Sequence, residues 1–518
     1  MTAVPIPVRR NAAISRLTQG TIANILNQVI TAFGQIALVP VLLSCWGNQM
    51  YGEWLTLSAA VAYMTMLDFG MQLYVVNRMN QCYSRGATGE FVRILHSAIL
   101  FTVVVSASAA ILLLPAIAVA PLQRWFQLTV TQPSTAAIVA VLLVAQFLSF
   151  VPLGVLTGVY RSIGEYPRGA TLGNVNRLLV LAVTALVAWM GGGLVALAAA
   201  QLIPPFAISG IYTVWDLRRR HPEVDIGLKR ADWRLALSFL GPSWLFFLIQ
   251  LALMITLQGS TLLVGAMLGA ASVTVFVTLR TLANVIRQAT GALYNAVWPE
   301  LTSLEAQGRY DDLRKVHTLM AKALMTITAC ASVYLHFAGP DLVAAWTRHR
   351  VIYDAPLMTA FLLLMLSQAW WMTSSLLLIS SNHHRMVSIC QIGAGVSGLV
   401  LGYALCRTWG MAGVIYGLAA TDLILCGWMI PRSACGMIGQ SFGEFSGQVL
   451  LRGAPVLAGL AVTMDWLSRS LASAPGPLRL GLSGGLLGAA SLLLAYLFWL
   501  NAAEKSRIRT FLQAGFAH

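Results

Sequence analysis

TIANILNQVITAFGQIALVPVLL, residues 21–43, is followed after a short turn by GEWLTLSAAVAYMTMLDFGMQLY, residues 52–74. The first run carries no acid and no base over 23 residues. As an α-helix it is about 34 Å long, enough to cross a hydrocarbon layer ~30 Å thick. Inside that layer backbone N–H and C=O groups find no water, so only helices or closed barrels can span it. Continuous apolar runs, rather than alternating segments of about ten residues, select the helix.

The same pattern recurs to the end of the chain. Further spans are predicted at 95–119, 135–158, 169–190, 194–215, 238–263, 272–297, 318–338, 357–380, 386–406, 411–430, 449–467 and 480–500. The fold class is therefore all-α: a polytopic membrane protein of about fourteen transmembrane helices. Composition agrees. Of 518 residues, 58% are hydrophobic and only 10% are charged, against about 25% charged in a soluble domain, and the mean hydropathy is +0.75. Arg9, Arg10 and Arg16 precede the first run, but its length, its Asn and Gln and the lack of a cleavage site mark a retained helix rather than a removable signal.

The formal charge of +15 follows topology, not nucleic acid; no nucleic-acid module is present. With a cytoplasmic N-terminus, 24 of the 33 Lys and Arg fall on the cytoplasmic side, six fall outside, and Arg177, Arg280 and Arg287 lie within helices. A fourfold bias of this kind orients both termini to the cytoplasm. Loops are short, so no separate soluble domain is expected, and the GxxxxGK[ST] phosphate loop is absent. The seven cysteines are scattered without CxxC spacing, and neither metal nor cofactor is expected.

The chain reads as two copies of one unit. A shift of 222 positions takes Gly47 to Gly269, Gln28 to Gln250 and Gln146 to Gln368, and takes Gly86, Glu90, Phe91 and Arg93 to Gly308, Asp312, Leu313 and Lys315. The expected organisation is an N-terminal six-helix lobe, 1–216; a basic cytoplasmic linker, 217–236; a second six-helix lobe, 237–432; and two extra helices with a cytoplasmic tail, 433–518. Parallel repeats are a recurrent transporter plan, with substrate bound at the repeat interface.

Charges inside a membrane are costly, about 2.5–3.5 kcal/mol at mid-bilayer, and mark cavities or partners. In the eighth helix Arg280, Asn284, Arg287, Gln288, Gly291 and Asn295 share an arc of about 100°. In the first, Asn24, Asn27, Gln28, Thr31 and Gln35 do the same. Both stripes are expected to line one hydrated cavity; a structural ion pair with Asp68 or Asp422 is the plain alternative for the arginines. Arg177 is read as a cavity residue or as one that snorkels to the surface. Asp422, near mid-membrane, is read as a coupling-proton carrier or as a counter-charge, and Asp68 as a wet helix end. Glu53 and Asp465 are expected to be solvated at the outer rim. Trp46, Trp54, Trp125 and Trp346 are expected to form an aromatic belt.

The succession Trp46-Gly47, Tyr51-Gly52-Glu53-Trp54 and Asp68-Phe69-Gly70, set on the first two helices, resembles the bacterial polysaccharide and O-antigen flippases of the multidrug/oligosaccharidyl-lipid/polysaccharide exporter superfamily. The two-lobe, fourteen-helix layout extends the resemblance over nearly the whole chain. It implies a V-shaped, MATE-like pair of lobes that rock to alternate access. It also implies that undecaprenyl-pyrophosphate-linked oligosaccharides are moved to the periplasmic leaflet through a cationic cavity, which Arg280 and Arg287 match. The chemistry is consistent: guanidinium groups bind phosphate oxygens in bidentate fashion, the polyprenyl tail stays in lipid, and an Asn/Gln face passes sugars. The last two helices are expected to shape a lateral groove for the lipid. Implied partners are the lipid-linked glycan, membrane lipid, a coupling H+ or Na+, and the glycosyltransferases and polymerase of the same route.

Three other functions compete. A drug/cation antiporter of this fold favours acidic cavities, yet the first and seventh helices hold no Asp or Glu. A lipid II flippase is closer in chemistry. A membrane polymerase or glycosyltransferase needs a large outer loop or an interfacial acidic motif, and Glu53, Asp68 and Asp465 are dispersed.

Overall fold

The computed structural model describes residues 10–381, 383–500 and 505, and side chains from residue 23 onward with few exceptions, Asn24 among them. Among the described residues every regular element is helical. Twelve helical stretches are long and apolar enough to cross a membrane. Two of these are too long for one crossing: Leu26–Asp68 has 43 residues and the stretch Arg385–Met437 has 53, about 64 and 80 Å at 1.5 Å per residue. Each breaks at a glycine. Gly47 (φ 69°, ψ 179°) splits the first and Gly410 (φ 56°, ψ −140°) the second, leaving about fourteen crossings. Only glycine enters these left-handed and mirror regions without a Cβ penalty.

The second break folds one half of its helix back on the other. A Cβ at Gly417 would lie 2.4 Å from the backbone N of Gly402, and one at Gly413 would lie 2.3 Å from the Leu405 carbonyl. Gly398, Gly402, Gly413 and Gly417 are spaced as two small-xxx-small pairs, the pattern that brings membrane helices to backbone contact.

By contacts the chain divides into two compact units, Met1–Met254 with Gly269–Val273 and Ile255–Leu268 with Thr274–His518. The first is built around Met71, Met79, Phe91, Val155, Tyr160 and Phe239. The second is built around Leu313, Trp370, Phe445, Leu460 and Trp499. Backbone geometry recurs at the 222-residue offset read from sequence: left-handed residues stand at Gly47, Gly86 and Gln127, and again at Gly269, Gly308 and His349. The turns match bond for bond. Ala87 N donates to Cys82 O (2.9 Å), and Arg309 N donates to Leu304 O (3.0 Å). Phe91 and Leu313, the paired apolar residues that follow, are both buried.

The basic stretch 217–236 is not a free loop. The preceding helix runs on to Arg220, and Asp216 is buried, receiving bonds from Tyr160 Oη (2.7 Å) and from Arg168 Nε and Nη2 (2.7 and 2.6 Å). Beyond it His96, fully buried, meets Asp225 O (3.0 Å) and accepts from Arg230 N (3.1 Å). Asp232 caps the 233–238 helix and meets Arg93 Nη2 at 2.5 Å; that contact, with the two cap amides, holds its carboxyl below the usual range. Glu223, despite partial burial, is also held low by its own amide, His221 and Tyr83. These partners lie on elements distant in sequence, so the docking was invisible in the charge pattern.

Two rim expectations are overturned. Glu53 is fully buried, not solvated: its carboxylate accepts from the backbone N–H of Thr129 (2.7 Å), Val130 (2.9 Å) and Thr131 (2.8 Å), tying down the 129–131 turn. Trp46 and Trp54 are not a lipid belt. They meet edge to face at 6.1 Å, Trp54 is buried, and Trp46 Nε1 donates to Gly192 O at 3.0 Å. Trp125 remains exposed, as a belt residue would be.

Candidate functional site

The polar face of the first helix packs along the Tyr166–Trp189 helix, and this places the candidate site. Asn174 Nδ2 donates to Ala23 O at 3.1 Å, and Arg177 donates to the Thr31 hydroxyl. Next to them the second apolar run ends in a short turn. Asp68 Oδ1 accepts from Gly70 N (3.1 Å) across two left-handed residues, Phe69 (φ 51°) and Gly70 (φ 71°). The Asp-Phe-Gly motif is therefore a helix-breaking corner, steadied by Phe69 against Phe247 at 5.6 Å.

Together these elements enclose, within the first unit, a cavity of about 540 Å³. Asn27, Asp68, Gln72, Asn174, Arg177 and Gln250 line it, with Arg161 at the end of the 133–162 helix. Arg177 stands about 16 Å from the helix start at Tyr166, so its charge reaches well inside the span while remaining exposed to the cavity. Asp68 is buried at 6% exposure, not a wet helix end. Asn174 is 3% exposed, and its Oδ1 is a buried acceptor without a partner among the described residues. A buried acceptor without a partner costs about 1–3 kcal/mol. Two guanidinium groups, neutral amides and one carboxylate make this cavity suited to an anionic, hydroxyl-rich ligand.

Of the residues expected at the site, Asn27, Arg177 and Asp68 are thus brought together. Gln28 lies half-buried on the same helix and Gln35 is exposed further along it; neither lines the cavity. The Asn24 side chain lies outside the described residues. Arg280, Asn284, Arg287 and Gln288 belong to the second unit. There Arg280 donates to Leu257 O and to Thr261 Oγ1 (2.8 Å) and lies 5.6 Å from the Phe276 ring. Its carbonyl partner belongs to a π-helical turn, Ile255–Gly259, and also accepts from Thr261 Oγ1 at 2.9 Å. Asn284, Arg287 and Gln288 are half-buried, and among the described residues Arg287 is in no ion pair.

Asp422 is buried and accepts from Ser367 Oγ (2.5 Å) and Trp371 Nε1 (3.0 Å) at the start of another π-helical turn, Asp422–Cys426. Of its two sequence readings, counter-charge to an arginine finds no partner among the described residues. Sequence reasoning missed Arg161, Gln72, Asn174 and Gln250 as one group, because they come from four segments. It also counted Lys322 with the cytoplasmic charges, whereas Lys322 is buried at 2% exposure inside the Tyr310–Thr347 helix.

No family model matches the sequence, and no curated relative matches it. Solved structures do. An inward-facing multidrug-resistance transporter of the MATE family, in the MOP superfamily, superposes with TM-score 0.63 at 16% identity, covering 83% of this chain and 99% of its own. The lipid II flippase MurJ, in an inward closed conformation, superposes with TM-score 0.67 at 12% identity, covering 93% of this chain and 98% of its own. A MATE bound to MaD3S gives 0.53 at 16%, covering 84% and 97%. The chain is a multi-pass membrane protein, and its fold is the one shared by MATE transporters and the MurJ flippase.

Proposed function

We propose that this protein is a flippase that moves polyprenyl-pyrophosphate-linked oligosaccharides across a bacterial inner membrane for surface or exopolysaccharide synthesis, and that it is not an enzyme. The observation that carries the reading is the lining of the first-unit cavity: Arg161 and Arg177 beside Asn27, Gln72, Asn174 and Gln250, with Asp68 the single carboxylate. A diphosphate meets the arginines and hydrated sugars meet the amides, while a cationic drug is opposed by the charge balance. The fold likeness adds support, since the match to a lipid-linked-substrate flippase spans 93% of the chain against 83–84% for the MATE transporters. Lipid II is the second reading, favoured by that same match.

In this scheme two six-helix repeats rock to alternate access, both termini are cytoplasmic, and Arg287 with Asn284 and Gln288 supplies a second polar face. Arg280 braces the 255–259 turn. Asp422 and Asp68 are the candidate sites for a coupling proton or sodium ion, and glycosyltransferases and a polymerase of the same route are the expected partners.

The test is export by Arg161→Gln, Arg177→Gln and Arg287→Gln variants in a strain that depends on this protein for its surface glycan. Variants present in the membrane at wild-type level are expected to export at least tenfold less, the loss of about 1.4 kcal/mol that a charge-assisted contact to phosphate supplies. Normal export by all three would remove the anion site. Lipid-linked glycan that accumulates when the gene is deleted identifies the substrate, and separates an oligosaccharide repeat unit from lipid II.

A further inference from the structure

The Leu194–Arg220 span carries a feature the cavity does not use. Its middle part winds as a π-helix, Pro205–Tyr212, that opens on the pair Pro204-Pro205, the last part, Thr213–Arg220, is α-helical, and an open groove of about 720 Å³ runs along both. Phe206, Gly210, Val214 and Arg218 line the groove at spacings of four, with Ile211, Trp215 and Arg219 beside them. From Phe206 to Arg218 is at most about 18 Å, the length at the α-helical rise of 1.5 Å per residue. That is close to one leaflet of a ~30 Å hydrocarbon layer. The apolar end is open: Ile211 is 74% exposed, Phe206 47% and Trp215 51%.

The other end is charged. Three arginines follow one another, and only Arg220 is drawn into an ion pair, with Asp216 at 3.2 Å. Arg218 and Arg219 are exposed, and among the described residues neither is in an ion pair; Arg219 lies over the Trp215 ring at 5.4 Å. An indole at the level of the headgroups and guanidiniums just beyond it form the expected arrangement of a membrane interface.

We propose that this groove is a binding site for one anionic phospholipid, its acyl chain along Phe206, Ile211 and Val214 and its phosphate between Arg218 and Arg219. Charge complementarity selects the headgroup and the leaflet-length apolar track selects the tail. The site is separate from the cavity and does not depend on which substrate the protein carries.

The experiment uses full-length protein equilibrated with vesicles of phosphatidylcholine and phosphatidylglycerol at three to one, and counts the phospholipids retained on the protein by native mass spectrometry. Wild type is expected to retain phosphatidylglycerol over phosphatidylcholine. Arg218→Gln/Arg219→Gln lowers that retention roughly fivefold per arginine, the change that about 1 kcal/mol per basic residue corresponds to. Ile211→Asn, which leaves the arginines in place, lowers it as well. Arg124→Gln, an exposed arginine at another helix end, leaves it unchanged. Equal retention of the two lipids by wild type overturns the proposal, and so does full retention by the double variant. Loss in the double variant with no loss in Ile211→Asn leaves only a basic patch and overturns the groove.

Discussion

Glu53 illustrates how far a single side chain can depart from its apparent place. At the mouth of a predicted helix a carboxylate reads as a solvated rim charge. Here it is fully buried and holds three consecutive amides of the 129–131 turn at 2.7–2.9 Å. Bonds between backbone donors and an ionised acceptor are among the strong ones. Glu53→Gln, which keeps the shape and loses the charge, is expected to lower stability by about 1–3 kcal/mol, read as a drop in the thermal midpoint of the purified protein, with protein yield falling in parallel. An unchanged midpoint would mean that the turn is held by its own geometry. Trp46 makes the same point: its indole donates to Gly192 O instead of facing lipid. In both cases the partner lies 76 to 146 residues away, beyond any local pattern.

At the scale of elements, the turns at Gly86 and Gly308 share one geometry. Both are left-handed, at φ 71° and 67°, and a Cβ on either would meet nothing within 4 Å. The cost of Gly86→Ala or Gly308→Ala is therefore backbone strain alone, about 1–2 kcal/mol. The two variants are expected to lose similar stability in denaturation, and a much larger loss at one turn would argue against equivalence. The docked segment 217–236 responds to acid. Asp232 is held below its ordinary range by Arg93 and the cap amides, so its contribution is complete above the unfolded carboxyl value near 3.9 and is lost as pH falls through its lower folded value. Limited proteolysis or hydrogen exchange is expected to find the segment protected at neutral pH and opened at strongly acidic pH. Arg93→Gln should open it at a less acidic pH; the same profile in wild type and variant would show that His96 and Asp216 hold it unaided.

For the molecule as a whole, the last two crossings are part of the second unit's core, not an appendage. Trp499 is 2% exposed and its Nε1 donates to Val449 O at 3.1 Å, while Tyr334 Oη donates to Leu480 O at 3.0 Å. Trp499→Ala is expected to cost about 3–5 kcal/mol through the cavity it leaves, seen as a large fall in thermal midpoint. Ala substitutions that break the surface pair Arg479–Asp341, 2.6 Å apart with both partners partly exposed, should cost at most about 1 kcal/mol.

The helical class and, to within the two glycine breaks, the number of crossings were legible in the sequence, because a hydrocarbon layer permits few structures and imposes a length on each. Arg177, Arg280 and Arg287 stood out within the predicted spans because charge there is costly and rare. Their destinations were not legible. Arg177 joined Asn27 and Asp68 around a cavity, whereas Arg280 went to a backbone carbonyl within a π-turn. Helical periodicity assigns a residue to a face, but which helix meets that face is set by packing among segments far apart in the chain. So the sequence alone determined what crosses the membrane, and only the tertiary structure decided which polar groups meet within it.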